Sequence, residues 1–316
     1  MGRGSHSHQV SATGKGPVTR RLLPGNHGCT CDVVCEAHKP PHRKTGFFHI
    51  ERGSMTVKLG VLGVGDLTEK MVCGLRRGAS DIDILLSPRN RARAERLARE
   101  FGCLLMADNQ AVVDAADVVL VGVRPAQLRD LATTVRLKDG QPLVSVVGGV
   151  PVETLVHLFG PRACCRAMLS VASEINRSTV AIYPSDSAAG ALLGSLGNVV
   201  RLTTERDFEL AMVSACMNGW FYFLIDALQG WFEKKGLPSE IARQLVFSSI
   251  EDCVAYSRHK RALTAGQIGE AIAVPGTYTE LGLSVLESLG ANTGWGIAAD
   301  KVFEQLMAQN QPSCDS

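Results

Sequence analysis

No stretch of the sequence is apolar for long enough to cross a bilayer. The most apolar run, Trp220 to Trp231, is interrupted by Asp226 and Gln229 and falls short of the roughly 20 residues a span requires. The N-terminus has no apolar h-region, so no secretory signal peptide is expected, and His6 stands where myristoylation after Gly2 needs Ser or Thr. Histidine is scarce beyond residue 54, where only His157 and His259 remain, so imidazole chemistry has little to draw on. Aromatic residues are 5% of the 316, yet hydrophobic residues reach 45%. That balance excludes a disordered or collagen-like chain and suits one large or two medium domains.

Acidic residues are absent before Asp32. Residues 1–54 carry eight Lys/Arg and three acids, a charge of +5, so the net +2 of the whole leaves −3 for the remainder. The basic excess belongs to a leader rich in Gly, Pro and His, which is expected to be disordered or even to precede a true start at Met55. A mildly acidic body removes the main electrostatic warrant for nucleic-acid binding. The acid-free N-terminus is a transit-peptide trait, but no amphipathic period accompanies it, and a cytoplasmic location is expected. Cys29, Cys31 and Cys35 with His27, His38 and His42 are zinc-type donors crowded into 16 residues. They lack a second well-spaced pair, so no metal site is expected. Cys73, Cys103, Cys164, Cys165, Cys216 and Cys253 read as small buried hydrophobes of a reduced compartment.

Regular periodicity begins at Met55. Val57 to Gly63 reads as a buried strand, Leu67 to Arg77 as a helix, Ile82 to Leu86 as a strand and Arg91 to Phe101 as a helix. Asp117 to Val121 and Leu143 to Val147 are further strands, with helices at Pro125 to Val135 and Pro151 to Leu158. Strands apolar throughout and alternating with helices imply a doubly wound parallel sheet covered on both faces, a Rossmann-type α/β domain over residues 55–165. Longer helical patterns follow at Glu205 to Lys235, Pro238 to Arg258, Thr277 to Leu289 and Thr293 to Gln309. They imply an all-helical domain over 166–310, ahead of a short tail at 311–316.

Gly63-Val64-Gly65-Asp66-Leu67-Thr68 follows the first strand and opens the first helix, the placement a dinucleotide fingerprint requires. Gly63 makes the tight turn, and Gly65, with Asp66 and Leu67 behind it, brings backbone amides to a pyrophosphate at the helix N-terminus. Thr68 occupies the third position, where Gly or Ala normally allows close packing. The second strand ends in Ser87-Pro88-Arg89-Asn90-Arg91, with no carboxylate before Glu95. An acid there would hold the ribose of NAD; Ser87 with Arg89 or Arg91 suits a 2′-phosphate, so NADP(H) is expected, and Arg93 reads as a solvated helix face.

The chain resembles the pyrroline-5-carboxylate reductases, NADPH-dependent enzymes that reduce a cyclic imine to proline. The resemblance is carried in order by Asp108-Asn109, Val123-Arg124-Pro125, Ser145-Val146-Val147-Gly148-Gly149-Val150, Arg166-Ala167-Met168, Asp226-Ala227-Leu228, Lys235-Gly236-Leu237-Pro238 and Pro275-Gly276-Thr277-Tyr278-Thr279. It implies that Gly63 and Gly65 cradle the pyrophosphate, that Ser87 and Asn109 lie along the adenosine ribose, and that Val123, Arg124 and Pro125 line the nicotinamide half. Thr279 takes the place of the threonine whose hydroxyl meets the imine nitrogen, a donor positioned where electron density develops as hydride reaches carbon. Thr279 is equally placed to be an ordinary first-turn residue of its helix.

Departures cluster around the substrate. Met168-Leu169-Ser170-Val171-Ala172 replaces the family's Met-Pro-Asn-Thr-Pro. Ser214-Ala215-Cys216-Met217-Asn218-Gly219-Trp220 replaces Ser-Gly-Ser-Gly-Pro-Ala-Tyr, and Val274-Pro275-Gly276-Thr277 replaces Ser-Pro-Gly-Gly. Ser214, Asn218, Trp220 and Thr277 become the candidate substrate residues. Side chains stand where glycine amides approach a carboxylate, and Trp220 crowds a small cyclic substrate. Two readings stay open: an NADPH-dependent reductase of pyrroline-5-carboxylate or a related imine, and a non-catalytic NADP-binding member acting as a sensor or interaction protein. The apolar helical faces exceed what the first domain can cover, so a homodimer or higher homo-oligomer is expected, with no nucleic-acid or membrane partner.

Overall fold

The structure, a computed structural model, describes residues 56–78, 81–185 and 187–309. The leader with its zinc-type donors, Met55 and the tail lie outside the described residues.

Eight strands form one sheet in the order β3-β2-β1-β4-β5-β6-β7-β8. The first five are β1 (Val57–Leu62), β2 (Ile82–Leu86), β3 (Leu104–Leu105), β4 (Val118–Val121) and β5 (Leu143–Ser145). They alternate with α1 (Asp66–Gly78), α2 (Arg91–Phe101), α3 (Asn109–Ala115), α4 (Leu128–Thr134) and α5 (Val152–Phe159). All five strands pair in parallel. Because strand side chains alternate between faces, each strand feeds two cores. Leu59, Val61, Ile84, Leu86 and Leu120 pack with Met71, Val72 and Leu97 of α1 and α2. Leu62, Leu85, Val119 and Val121 pack with Val112, Leu128, Leu131 and Leu155 of α3, α4 and α5. Each such side chain taken from water contributes about 1.5–3 kcal/mol. The helix expected from Pro125 starts as a 3₁₀ turn, Pro125–Gln127, before α4.

The sheet does not stop at residue 165. It continues through β6 (Cys164–Met168), parallel to β5, then β7 (Ser178–Tyr183), antiparallel to β6, and β8 (Gly197–Arg201), with the short α6 (Ala189–Leu193) between the last two. Strand β6 carries Arg166 at a fully buried position, which breaks the apolar run that marks the other strands. Arg166 Nη1 lies 2.5 Å from Glu205 Oε1 and 2.6 Å from Glu209 Oε1, and its guanidinium covers the Phe208 ring at 4.3 Å. A cation inside a sheet core requires such neutralisation, and here it also fastens the sheet to the next helix.

Beyond β8 the chain is helical: α7 (Glu205–Lys234), α8 (Ser239–His259), α9 (Ala265–Ile272), α10 (Tyr278–Ser288) and α11 (Ala291–Gln309). Helix α7 packs on α8 and α11, and α10 packs on α11. No residue of α9, α10 or α11 is buried, and Phe223 and Tyr278 are 78% and 94% exposed. By length and composition alone, α7 passes for a membrane-spanning helix, although its central run is interrupted by Asp226.

Candidate functional site

The chain turns out of β1 at Gly63, whose φ of +94° strains any L side chain; a Cβ there would lie 2.7 Å from Val123 Cγ1. Around Gly65 the nearest atoms to a missing Cβ are Gly122 O at 3.8 Å and Thr68 Oγ1 at 3.9 Å, so backbone above the start of α1 stays open to an anion. The Thr68 hydroxyl is shared between Gly63 O at 2.8 Å and Gly65 O at 3.2 Å. From beneath, Gly63 N–H donates to Ser87 Oγ at 3.0 Å.

Ser87 is fully buried and holds the glycine turn in shape, whereas the residue pattern suited its hydroxyl to a 2′-phosphate and the resemblance implied a place along the adenosine ribose. Arg93 also differs from its expected solvated position. It lies 3.1 Å from Asp66 and 2.9 Å from buried Glu69, and Arg96 bonds Glu69 too. These cations offset two carboxylates that would otherwise repel a pyrophosphate at the N-terminus of α1. Arg91 is taken by Glu95 at 2.7 Å, which leaves Arg89 exposed and without an ion pair among the described residues. An open glycine turn, a compensated helix N-terminus and an unpaired arginine at the end of β2 fit an NADP dinucleotide.

Asn109 opens α3 beside Asp108, whose side chain caps that helix by accepting Ala111 N–H at 2.8 Å. Val123 packs against Gly63, and Arg124 and Pro125 lie exposed at the head of the turn after β4. All four follow the carboxyl ends of parallel strands, the edge where ligands of open α/β sheets bind.

At the same edge, past β6, a cavity of about 100 Å³ brings Ser214 and Asn218 of α7 together with Met168, Ser170 and Ala172. Positions 214 and 218 share a helix face by their i, i+4 spacing. Trp220 sits two residues further round, where its ring lies 6.1 Å from that of Trp295 on α11 rather than in the cavity. Thr277 is the N-cap of α10, accepting Glu280 N–H at 3.2 Å and donating to Val274 O at 2.8 Å. With the cap supplied by Thr277, the exposed hydroxyl of Thr279 has no partner among the described residues. Neither threonine lines the cavity of its own chain. Sequence reasoning missed Arg177 and Thr179, which line the cavity from the start of β7; a strand not foreseen gives no signal for its first residues.

Two family models match separate stretches of the chain. Residues 58–149 match the family described as NADP oxidoreductase, coenzyme F420-dependent, and residues 207–307 match pyrroline-5-carboxylate reductase dimerisation. The pyrroline-5-carboxylate reductase of Synechocystis sp. is 24% identical over 246 residues, 75% of this chain and 92% of the relative. The chain belongs to the pyrroline-5-carboxylate reductase family. It is an NAD(P)-binding member of a reductase family. The fold agrees: the Streptococcus pyogenes pyrroline-5-carboxylate reductase superposes with a TM-score of 0.72 at 23% identity, covering 79% of this chain and 98% of that one. The Plasmodium falciparum enzyme, solved with NADP bound, gives 0.74 at 19%, covering 82% and 100%. The dimerisation match covers most of α7 and α8 to α11, whose apolar faces the single chain leaves bare.

Proposed function

We propose that the protein is an NADPH-dependent oxidoreductase that reduces a cyclic imine, pyrroline-5-carboxylate or a related C=N compound, and works as a homodimer or higher homo-oligomer. The observation that carries this is the pairing, along one sheet edge, of an NADP-compatible glycine turn after β1 with a polar cavity after β6. The chemistry supplied with NADPH bound is hydride delivery to the C=N carbon, with the π pair ending on nitrogen. A substrate entering as the iminium keeps its proton and leaves as a secondary amine, so no separate general acid is required. Ser214 and Asn218 orient the ring, and the Thr279 hydroxyl donates to nitrogen as its electron density rises. Helix α10 packs on α11 within one chain, so Thr279 meets the substrate at the subunit interface, where the exposed faces of α7, α8 and α10 close on a second copy.

The test is NADPH oxidation by the full-length protein over cyclic imines with and without a carboxylate. Turnover that falls with kcat in Thr279→Ala, at unchanged NADPH affinity, is the expected result. NADPH binding without turnover on any imine would favour a non-catalytic family member.

A further inference from the structure

Arg177, at the start of β7, lines two neighbouring depressions: the cavity containing Ser170, Ser214 and Asn218, and one of about 670 Å³ that also includes Arg258 of α8. Neither lining contains an acidic side chain. Neither guanidinium has a hydrogen bond or ion pair among the described residues. The arginines that brace the fold behave differently: Arg76, Arg162 and Arg166 are all engaged by carbonyl or carboxylate oxygens. The Ser170 and Ser178 hydroxyls after β6 are engaged locally, since Ser178 Oγ accepts Ser170 N–H at 2.8 Å and Ser170 Oγ accepts Ala172 N–H at 3.3 Å. The net character of the cleft is therefore positive, and its unmatched charge sits beside Ser214 and Asn218.

Resting on the imine-reductase reading above, we infer that Arg177 determines specificity by holding an anionic group, a carboxylate, of the substrate. A guanidinium presents a planar pair of donors that matches a carboxylate. It supplies from a side chain what Ala215 to Asn218, with a side chain at each of the four positions, no longer offer as a glycine-rich backbone. Arg258 adds a second positive charge in the adjoining depression and steers anions toward the cavity.

The experiment compares wild type, Arg177→Gln, Arg177→Lys and, as a remote control of equal charge change, Arg99→Gln, all full-length. KM and kcat are measured on pyrroline-5-carboxylate and on 1-pyrroline, which lacks the carboxylate. NADPH affinity is measured in parallel, and so is binding of cyclopentanecarboxylate to the NADPH-saturated protein. Arg177→Gln is expected to raise KM for the carboxylated imine at least about tenfold, with kcat, NADPH affinity and KM for 1-pyrroline unchanged. Arg177→Lys should recover part of the loss, and Arg99→Gln should match wild type. Equal effects on both imines, or none, would overturn the assignment. Should neither imine turn over, the reductase reading fails by itself, and the carboxylate probe still decides. Binding that Arg177→Gln weakens upholds the anion site, whereas absent or unaltered binding refutes it.

Discussion

The methyl group of Thr68 occupies the space of Gly122: a Cβ on Gly122 would lie 2.2 Å from Thr68 Cγ2. The fingerprint glycine that normally lets α1 approach the sheet is absent, and the missing volume is provided instead by a glycine just past the neighbouring strand β4. Gly122→Ala is therefore expected to overpack this contact, at a cost of about 1–3 kcal/mol, and to weaken NADPH binding by displacing α1. Thr68→Ser keeps the hydroxyl that bonds Gly63 O and Gly65 O and removes only the methyl. Added to Gly122→Ala, it should restore most of the stability in urea unfolding; additive losses would show that the two positions do not share the space.

Ser87 separates two roles cleanly. As the acceptor for Gly63 N–H, its loss in Ser87→Ala leaves a turn amide unsatisfied, costing about 1–3 kcal/mol, and should weaken NADH and NADPH binding by the same factor. A hydroxyl that touched the 2′-phosphate would instead weaken NADPH alone. Isothermal titration with both cofactors distinguishes them. Arg89→Gln is expected to show the selective loss that Ser87→Ala does not.

Phe223 is 78% exposed in the single chain, and Phe221 and Trp231 near it are about half exposed. Such an apolar face, on helices that match a dimerisation family, is expected to be covered by a second copy. Wild-type protein should scatter light as a dimer or larger, and Phe223→Asp should shift it to the one-chain mass or to aggregates. An unshifted oligomer would place the interface elsewhere on the helices.

Burial pushes the thiols of Cys103 and Cys164 up to about 11 from an ordinary value near 9. Between those values the folded protein holds protons that the unfolded chain has released, so stability falls as pH rises through that window. The slope contributed by each thiol is at most about 1.4 kcal/mol per pH unit. A Cys103→Ala/Cys164→Ala variant should lose less stability than wild type between pH 9 and pH 11 in urea titrations. Parallel curves would remove the thiols from the pH response.

Much of this architecture is readable before any coordinates. Strands such as Ile82–Leu86 announce themselves because both faces of a covered parallel sheet must be apolar, and the glycine turn follows from its place after β1. The edge of the sheet was opaque for physical reasons. Strand β6 hides Arg166, whose charge is acceptable only because Glu205 and Glu209 arrive from α7, 39 and 43 residues away. Strand β8 is an outer strand, with Asn198, Val200 and Arg201 all exposed, and so lacks a strand's apolar signature. The candidate site divides in the same way. Ser214 and Asn218 were legible from their alignment with a motif, and helical spacing delivers them to one cavity. The burial of Ser87, the pairing of Arg93 and the placing of Arg177 all depend on contacts between distant segments that no local pattern encodes.

The measurement that bears most directly on function is NADPH consumption by full-length protein on pyrroline-5-carboxylate and on carboxyl-free cyclic imines, with amine product quantified against cofactor oxidised. One amine formed per NADPH consumed, and a fall in kcat for Thr279→Ala at unchanged NADPH affinity, is the expected result. Tight NADPH binding without amine from any imine would contradict it.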